Sequence, residues 1–285
     1  MLDHSDEDVG NIVLLEHVNV QVPDQSLAIA FYIVGLGFTR DPYLNYGLSN
    51  MWANVGEQQF HLPTRPAQVI PGHIGVVTPD LNVLKDRLAS LEKTLAGTQF
   101  SWSAEADHLA VTCPWGNRFR CYPPGPKFGD MALGIPYVEF LVAPGKATAI
   151  ARFYDRVLGA PAATESVKQG AVSRIKIGRN QSLVFRETEQ SLPLYDGHHI
   201  AIYVANFSGP YNFLKERGLV SEDVRNHQFR FKEIIDPDES GCVFLVEHEV
   251  RSLHHPMFGR FLVNRDPAQS QRQYRRKRDS LIPYQ

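Results

Sequence analysis

One pattern constrains this chain more than any other: a strand, a helix and further strands, met four times in succession. The first copy opens with LEHVNVQVPDQSLAIAFYIVGLGF, residues 15–38. Val18, Val20 and Val22 alternate with His17, Asn19 and Gln21, the period-two pattern of a strand with one buried face. Leu27, Ile29, Ala30 and Phe31 then fall on one helical face. Asp24 or Ser26 can cap that helix and Gly35 can end it. GLSNMWANVG and QQFHLP supply further strands. The second copy opens at PGHIGVVTPDLNVLKDRLASLEK (71–93), and TQFSWSA, HLAVTCP and NRFRCYPP follow. The third opens at IPYVEFLVAPGKATAIARFYDRVLGAPA (135–162), whose FYDRVLGA echoes FYIVGLGF, and closes on VSRIKIG and SLVFRET. The fourth opens at GHHIAIYVANFSGPYNFLKERGL (197–219) and closes on QFRFKEIIDP and GCVFLVEHEV. Four βαβββ units of about sixty residues each thus fill residues 13–250, the size of a repeated supersecondary unit.

A sheet covered by one helix keeps one wet face, and two such units can close around it as a half-barrel cleft. The expected organisation is α+β. A polar extension (1–12) precedes a first two-unit domain (13–124). A Pro/Gly-rich linker (125–134), inside YPPGPKFGDMALGIP, leads to a second two-unit domain (135–250). A C-terminal wrap with a basic tail (251–285) ends the chain. The composition agrees: 43% of residues are apolar, 21% are charged and the formal net charge is −2. That balance gives no general attraction to nucleic acid or to a membrane surface. No run of about twenty apolar residues occurs, so no spanning helix is expected. The acidic start MLDHSDEDVG is neither a secretory signal nor a transit peptide. Three cysteines, Cys113, Cys121 and Cys242, without a CxxC pair suit a reducing, cytoplasmic setting and read as core thiols.

The four units, together with HVNVQVPD…FY…LGF and HIGVVTPDL, resemble the vicinal oxygen chelate (VOC) superfamily, which includes glyoxalase I, extradiol dioxygenases and bleomycin-resistance proteins. The resemblance covers nearly the whole chain. It implies a pair of half-barrel domains, each able to hold a divalent metal on its inner sheet face. Ligands in the family are a His opening the first strand of a unit and a Glu on the last. Carried onto this chain, the opening positions of the first pair are His17 and His73, and the closing positions are His61 and Arg120. Gly116 and Asn117 match the family's Gly-Asn-x-x-Glu, but Arg120 replaces the Glu. In the second pair the openings are Tyr137 and His199, with closings near Phe185 and Leu245. Glu139 and Glu247 stand two residues farther along their strands.

His17, His61 and His73 are the first metal candidates, for Fe, Zn, Ni or Mn, because neutral imidazole ligates such ions well. Arg120 stays protonated and cannot ligate, but its fork could hold a carboxylate or an enolate oxygen. Glu139, His199 and Glu247 are a second candidate set, a His with two carboxylates. Tyr137 and Tyr203 could donate hydrogen bonds or protons, or simply pack. HHPMFGR (254–260) places two histidines side by side, where they do not share a face. YRRKR (274–278) is a short basic cluster, read as a solvated helix face. No Walker loop, dinucleotide Gly-rich motif, Gly-x-Ser-x-Gly elbow or HExxH is present.

Three readings stay open at this level. One is a metal-dependent lyase, isomerase or dioxygenase acting on a small oxygenated metabolite, as a monomer or a homodimer. Another is a metal-free small-molecule binding protein lined by aromatics such as Trp52, Trp102 and Trp115. The last is an interaction scaffold using the basic tail.

Overall fold

The computed structural model describes residues 4, 7–45, 47–224, 226–239, 241–265 and 282–283. All four βαβββ modules are present. Module 1 consists of β1 (Ile12–Asn19), α1 (Gln25–Ala28), β2 (Thr39–Asn45), β3 (Asn50–Val55) and β4 (Gln58–Pro63). Module 2 has β5 (Gly72–Val77), α2 (Leu81–Ser90), β6 (Ser101–Ala104), β7 (Leu109–Thr112) and β8 (Arg118–Tyr122). Module 3 has β9 (Tyr137–Val142), α3 (Ala147–Arg156), β10 (Ala162–Val167), β11 (Gly170–Lys176) and β12 (Ser182–Glu187). Module 4 has β13 (His199–Val204), α4 (Ser208–Glu216), β14 (Val220–Val224), β15 (Gln228–Ile235) and β16 (Cys242–Ser252). In every module the last strand runs parallel beside the first, and the third and second follow antiparallel. The parallel pair needs a crossover, and the helix supplies it.

The chain divides into two compact units: Met1–Glu16 with Tyr137–Gly259, and His17–Pro136 with Arg260–Gln285. Modules 1 and 2 therefore group together, as do 3 and 4. Two segments fall differently from the sequence expectation. The first five residues of β1 belong with modules 3 and 4, and the residues after Gly259 belong with modules 1 and 2.

In the unit built on modules 1 and 2, Val18, Val20 and Val22 are buried as their alternation requires. Asp24 caps α1 by accepting from the amides of Ser26 and Leu27. After one turn α1 widens into a π-helical stretch, Ile29–Gly35, which closes with the Leu36 amide on the Phe31 carbonyl. This widening makes the buried face Ala28, Phe31, Tyr32 and Gly35. Phe31 meets Phe119 of module 2 (5.6 Å between ring centroids) and Tyr32 meets Phe60 (5.4 Å). Gly35 is needed for close approach: an added Cβ would lie 2.7 Å from the Leu91 Cδ1. The residue with left-handed backbone after the helix is Gly37, at φ 73°. The linker is pinned, since Gly134 exchanges two backbone hydrogen bonds with Val77. The wrap is also stapled down. Asn264 bonds both backbone groups of Gly56, and Arg260 reaches the buried Asp41 carboxylate (3.1 Å). There β17 (Val263–Asn264) pairs with β18 (Ile282–Pro283).

In the unit built on modules 3 and 4, α3 buries Ile150, Phe153 and Tyr154 and packs on β11 and β10, and on β15 of module 4. Tyr154 donates its hydroxyl to His248 Nε2 (2.6 Å), while His248 Nδ1 donates to the Val246 carbonyl. Burial holds this imidazole neutral and lowers its pKa to about 3. Arg152 on α3 forks onto Asp236 at the end of β15.

Candidate metal centre

In a parallel pair, side chains of facing register positions share a sheet face, and the register therefore says which closing residue accompanies each opening one. In module 1 Asn19 faces His61, so His61 lies on the face of His17 and Asn19. Counting two residues from the opening position of each module gives Gly75, Glu139 and Ala201. Their partners on the closing strands are Arg120, Val184 and Glu249. Arg120 is thus the positional equivalent of His61, as the repeat suggested. The expected closing positions of modules 3 and 4 are corrected. Phe185 is fully buried beside Phe140, on the opposite face from Val184. Leu245 faces Glu233 and lies before the β13 ladder begins. Glu249 is the residue the sequence reading missed. Its signal was the alternation in VEHEV, which places Glu247 and Glu249 on one face and the core residue His248 on the other.

His17 and His61 come together. Their ligand atoms lie within 4.8 Å of one another and their ring centroids are 5.6 Å apart, edge to face. Trp52, directly opposite His61 on β3, stacks on it at 4.0 Å and meets the His17 ring at 5.0 Å. Asn50 Nδ2 sits 2.8 Å from His61 Nε2, and its own Oδ1 is buried without a hydrogen-bond partner among the described residues. With that amide turned, Oδ1 accepts from Nε2–H and the lone pair of His61 moves to Nδ1. That is the second contact a ligating histidine ordinarily has.

His73 is not brought to this pair. It belongs to β5 in module 2, and no metal-competent group of three among the described residues contains it. Of the expected trio, the structure thus shows His17 and His61 together within their unit. The set Glu139, His199 and Glu247 is not assembled either. Glu139 is held by Arg186 (3.1 Å), and Glu247 by Arg230 (2.6 Å). His199 has Glu247 Oε1 at 3.6 Å and Glu249 Oε2 at 3.8 Å. Glu249 is clamped by two guanidiniums, Arg230 on one oxygen and Arg251 on the other. Arg251 also reaches Glu16 (2.9 Å). The charges of module 4 therefore neutralise one another within their own unit.

Tyr203 is almost fully buried with its hydroxyl 3.3 Å from His255 Nδ1. Desolvation, then Glu16, push its pKa up to about 12, so it is a donor and not a base near neutral pH. His254 and His255 part company: His254 is exposed, and His255 is buried with a pKa lowered to about 4, by desolvation and then Arg251. Tyr137 opens β9, half-buried. YRRKR lies outside the described residues. Among the described residues no helix is long and apolar enough to cross a membrane.

No family model matches the chain, and no curated protein matches it. Solved structures do. Glyoxalase I of Zea mays aligns at a TM-score of 0.54 and 14% identity, over 83% of this chain and 92% of that one. A variant of the same enzyme aligns at 0.55 and 12%, over 86% and 95%. A candidate dioxygenase of Bacillus subtilis aligns at 0.54 and 14%, over 86% of each chain. The fold is the vicinal oxygen chelate fold. At these identities the likeness speaks for the VOC architecture alone, since one fold hosts many chemistries.

Proposed function

We propose that this VOC-fold chain is a divalent-metal enzyme acting on a small metabolite that offers two adjacent oxygens. The observation that carries the reading is the His17–His61 pair. Two imidazoles stand on the opening and closing strands of one module, their ligand atoms within 4.8 Å, with Asn50 placed to fix the tautomer of one. Two nitrogens on one ion at bonds of about 2.0–2.1 Å lie about 3–4 Å apart, so the pair fits a cation after a small adjustment. Module 4 offers the register-equivalent pair His199 and Glu249, the His/Glu set of the resemblance. There the carboxylate must first give up Arg230 or Arg251.

When bound, the ion would act as a Lewis acid toward the substrate oxygens. The chain's own residues do the rest. His17 and His61 would hold the ion, Asn50 would orient His61, and Trp52 supports the His61 ring by stacking on its face. The test is metal content of protein purified without a histidine tag, for the native chain and for His17→Ala, His61→Ala, His199→Ala and Glu249→Gln. The reading expects a stoichiometric ion that His17→Ala or His61→Ala removes. A metal-free native protein whose melting temperature ignores both chelator and added Zn, Fe, Ni or Mn would overturn it. The stacked Trp52 favours a second reading, a metal-free binding pocket lined by aromatics. A small molecule that stabilises the protein equally with and without chelator would select it.

A further inference from the structure

On the sheet face of module 2 that carries Arg120, neither Arg118 nor Arg120 has a carboxylate partner among the described residues. Arg230 and Arg251 of module 4 are paired with glutamates, and Arg186 of module 3 with Glu139. No residue of β5, β6, β7 or β8 is acidic. The Arg120 side chain is exposed and makes no hydrogen bond or ion pair among the described residues. Arg118, one pleat away at about 6.7 Å along β8, anchors its Nε on the Gly72 carbonyl (3.0 Å) and leaves its terminal nitrogens to solvent. The strand register adds to the set. Arg120 is flanked across the ladder by two small residues, Ala110 and the buried Gly75. Thr112, on the β7 side, faces Arg118 and brings a hydroxyl. Past the end of β8, the Lys127 amine rests 4.5 Å over the Tyr122 ring. The acidic residues of the β6–β7 turn are engaged, Glu105 by Ser103 and Asp107 by His108, and Lys127 stands near enough to Asp107 to help hold that carboxyl's pKa down.

We propose that this face is a binding site for an organic oxyanion, a small metabolite bearing a carboxylate or a phosphate group, with Arg120 as its principal anchor. A guanidinium presents a planar fork that matches such groups two bonds at a time. An exposed arginine is ordinarily just solvated. Here, however, it occupies the position at which module 1 places His61, on the face turned away from the helix and between two small residues. Arg118 is pre-oriented by its backbone anchor, so less freedom is lost when it binds. The site lies wholly within module 2 and its linker and does not depend on the metal reading.

The probes are inorganic phosphate and succinate, titrated calorimetrically into the full chain against chloride at matched ionic strength. Binding of at least one probe above the chloride control is expected. Arg120→Ala should weaken it at least tenfold, and Arg118→Ala by less. Arg174→Ala, an exposed arginine of module 3, should leave it unchanged, as should the pair His17→Ala with His61→Ala. Both Arg120→Ala and Arg174→Ala change exposed side chains, and a matching circular dichroism spectrum checks that the fold is kept. The proposal is overturned if neither probe binds above chloride, if Arg120→Ala binds as the native chain does, or if the histidine variant loses binding equally. That last result would place the anion at the histidine pair.

Discussion

Two tyrosines at matching places in the repeat should respond to the same substitution with opposite signs. Tyr32 follows Phe31 in module 1 and Tyr154 follows Phe153 in module 3, and both rings are fully buried. Tyr154 gives its hydroxyl to His248 at 2.6 Å. Tyr32 lies against Phe119, in the register position that corresponds to His248, and its hydroxyl finds no partner among the described residues. Tyr154→Phe leaves His248 Nε2 buried without a donor, which costs about 1–3 kcal/mol. Tyr32→Phe removes a hydroxyl already desolvated without return, and should stabilise by about 1 kcal/mol or more. Chemical denaturation of both variants measures the difference. For a unit of this size 1 kcal/mol also moves the melting temperature by about 2–4 °C. Equal destabilisation by both changes would refute the argument, because it would mean that Tyr32 has a partner and that the two cores are satisfied alike. The companion change Phe119→His should supply the missing acceptor. It should make Tyr32→Phe destabilising, as Tyr154→Phe is in the native chain.

Further outcomes follow from other places in the fold. His248 stays neutral when folded, with a pKa near 3, and has an ordinary value when unfolded. Its contribution is therefore fully present above about pH 6.5 and is lost at about 1.4 kcal/mol per unit as pH falls toward 3. His248→Phe should flatten that part of the stability–pH profile, and an unchanged slope would contradict it. Gly56→Ala should destabilise by more than about 3 kcal/mol, because φ is 68° and the new Cβ would lie 2.0 Å from the Leu133 carbonyl oxygen. Urea denaturation reads this directly, and a near-neutral result would mean that the linker can leave its place on β3 and β4.

Much of the architecture was legible because strand and helix periodicities are local. Alternation at Val18, Val20 and Val22 fixed a buried face. The recurrence of FY-x-x-x-LG marked the helices, and Asp24 marked a cap. Four copies of the pattern required a four-module α+β fold. The sequence alone also placed His61 and Arg120 at corresponding closing positions and His17 at an opening one, because those follow from counting within a repeat. The tertiary structure decided what could not be counted. Glu249, not Leu245, closes module 4, since the parallel register of β13 and β16 is set by packing and not by spacing. His73 joins no three-residue ligand group with His17 and His61 among the described residues, since proximity across modules is a property of the folded chain. The arginines divide the same way. Their charges are visible in the sequence, yet only the fold shows Arg230 and Arg251 bound to glutamates while the Arg120 side chain stands exposed without an ion-pair partner among the described residues.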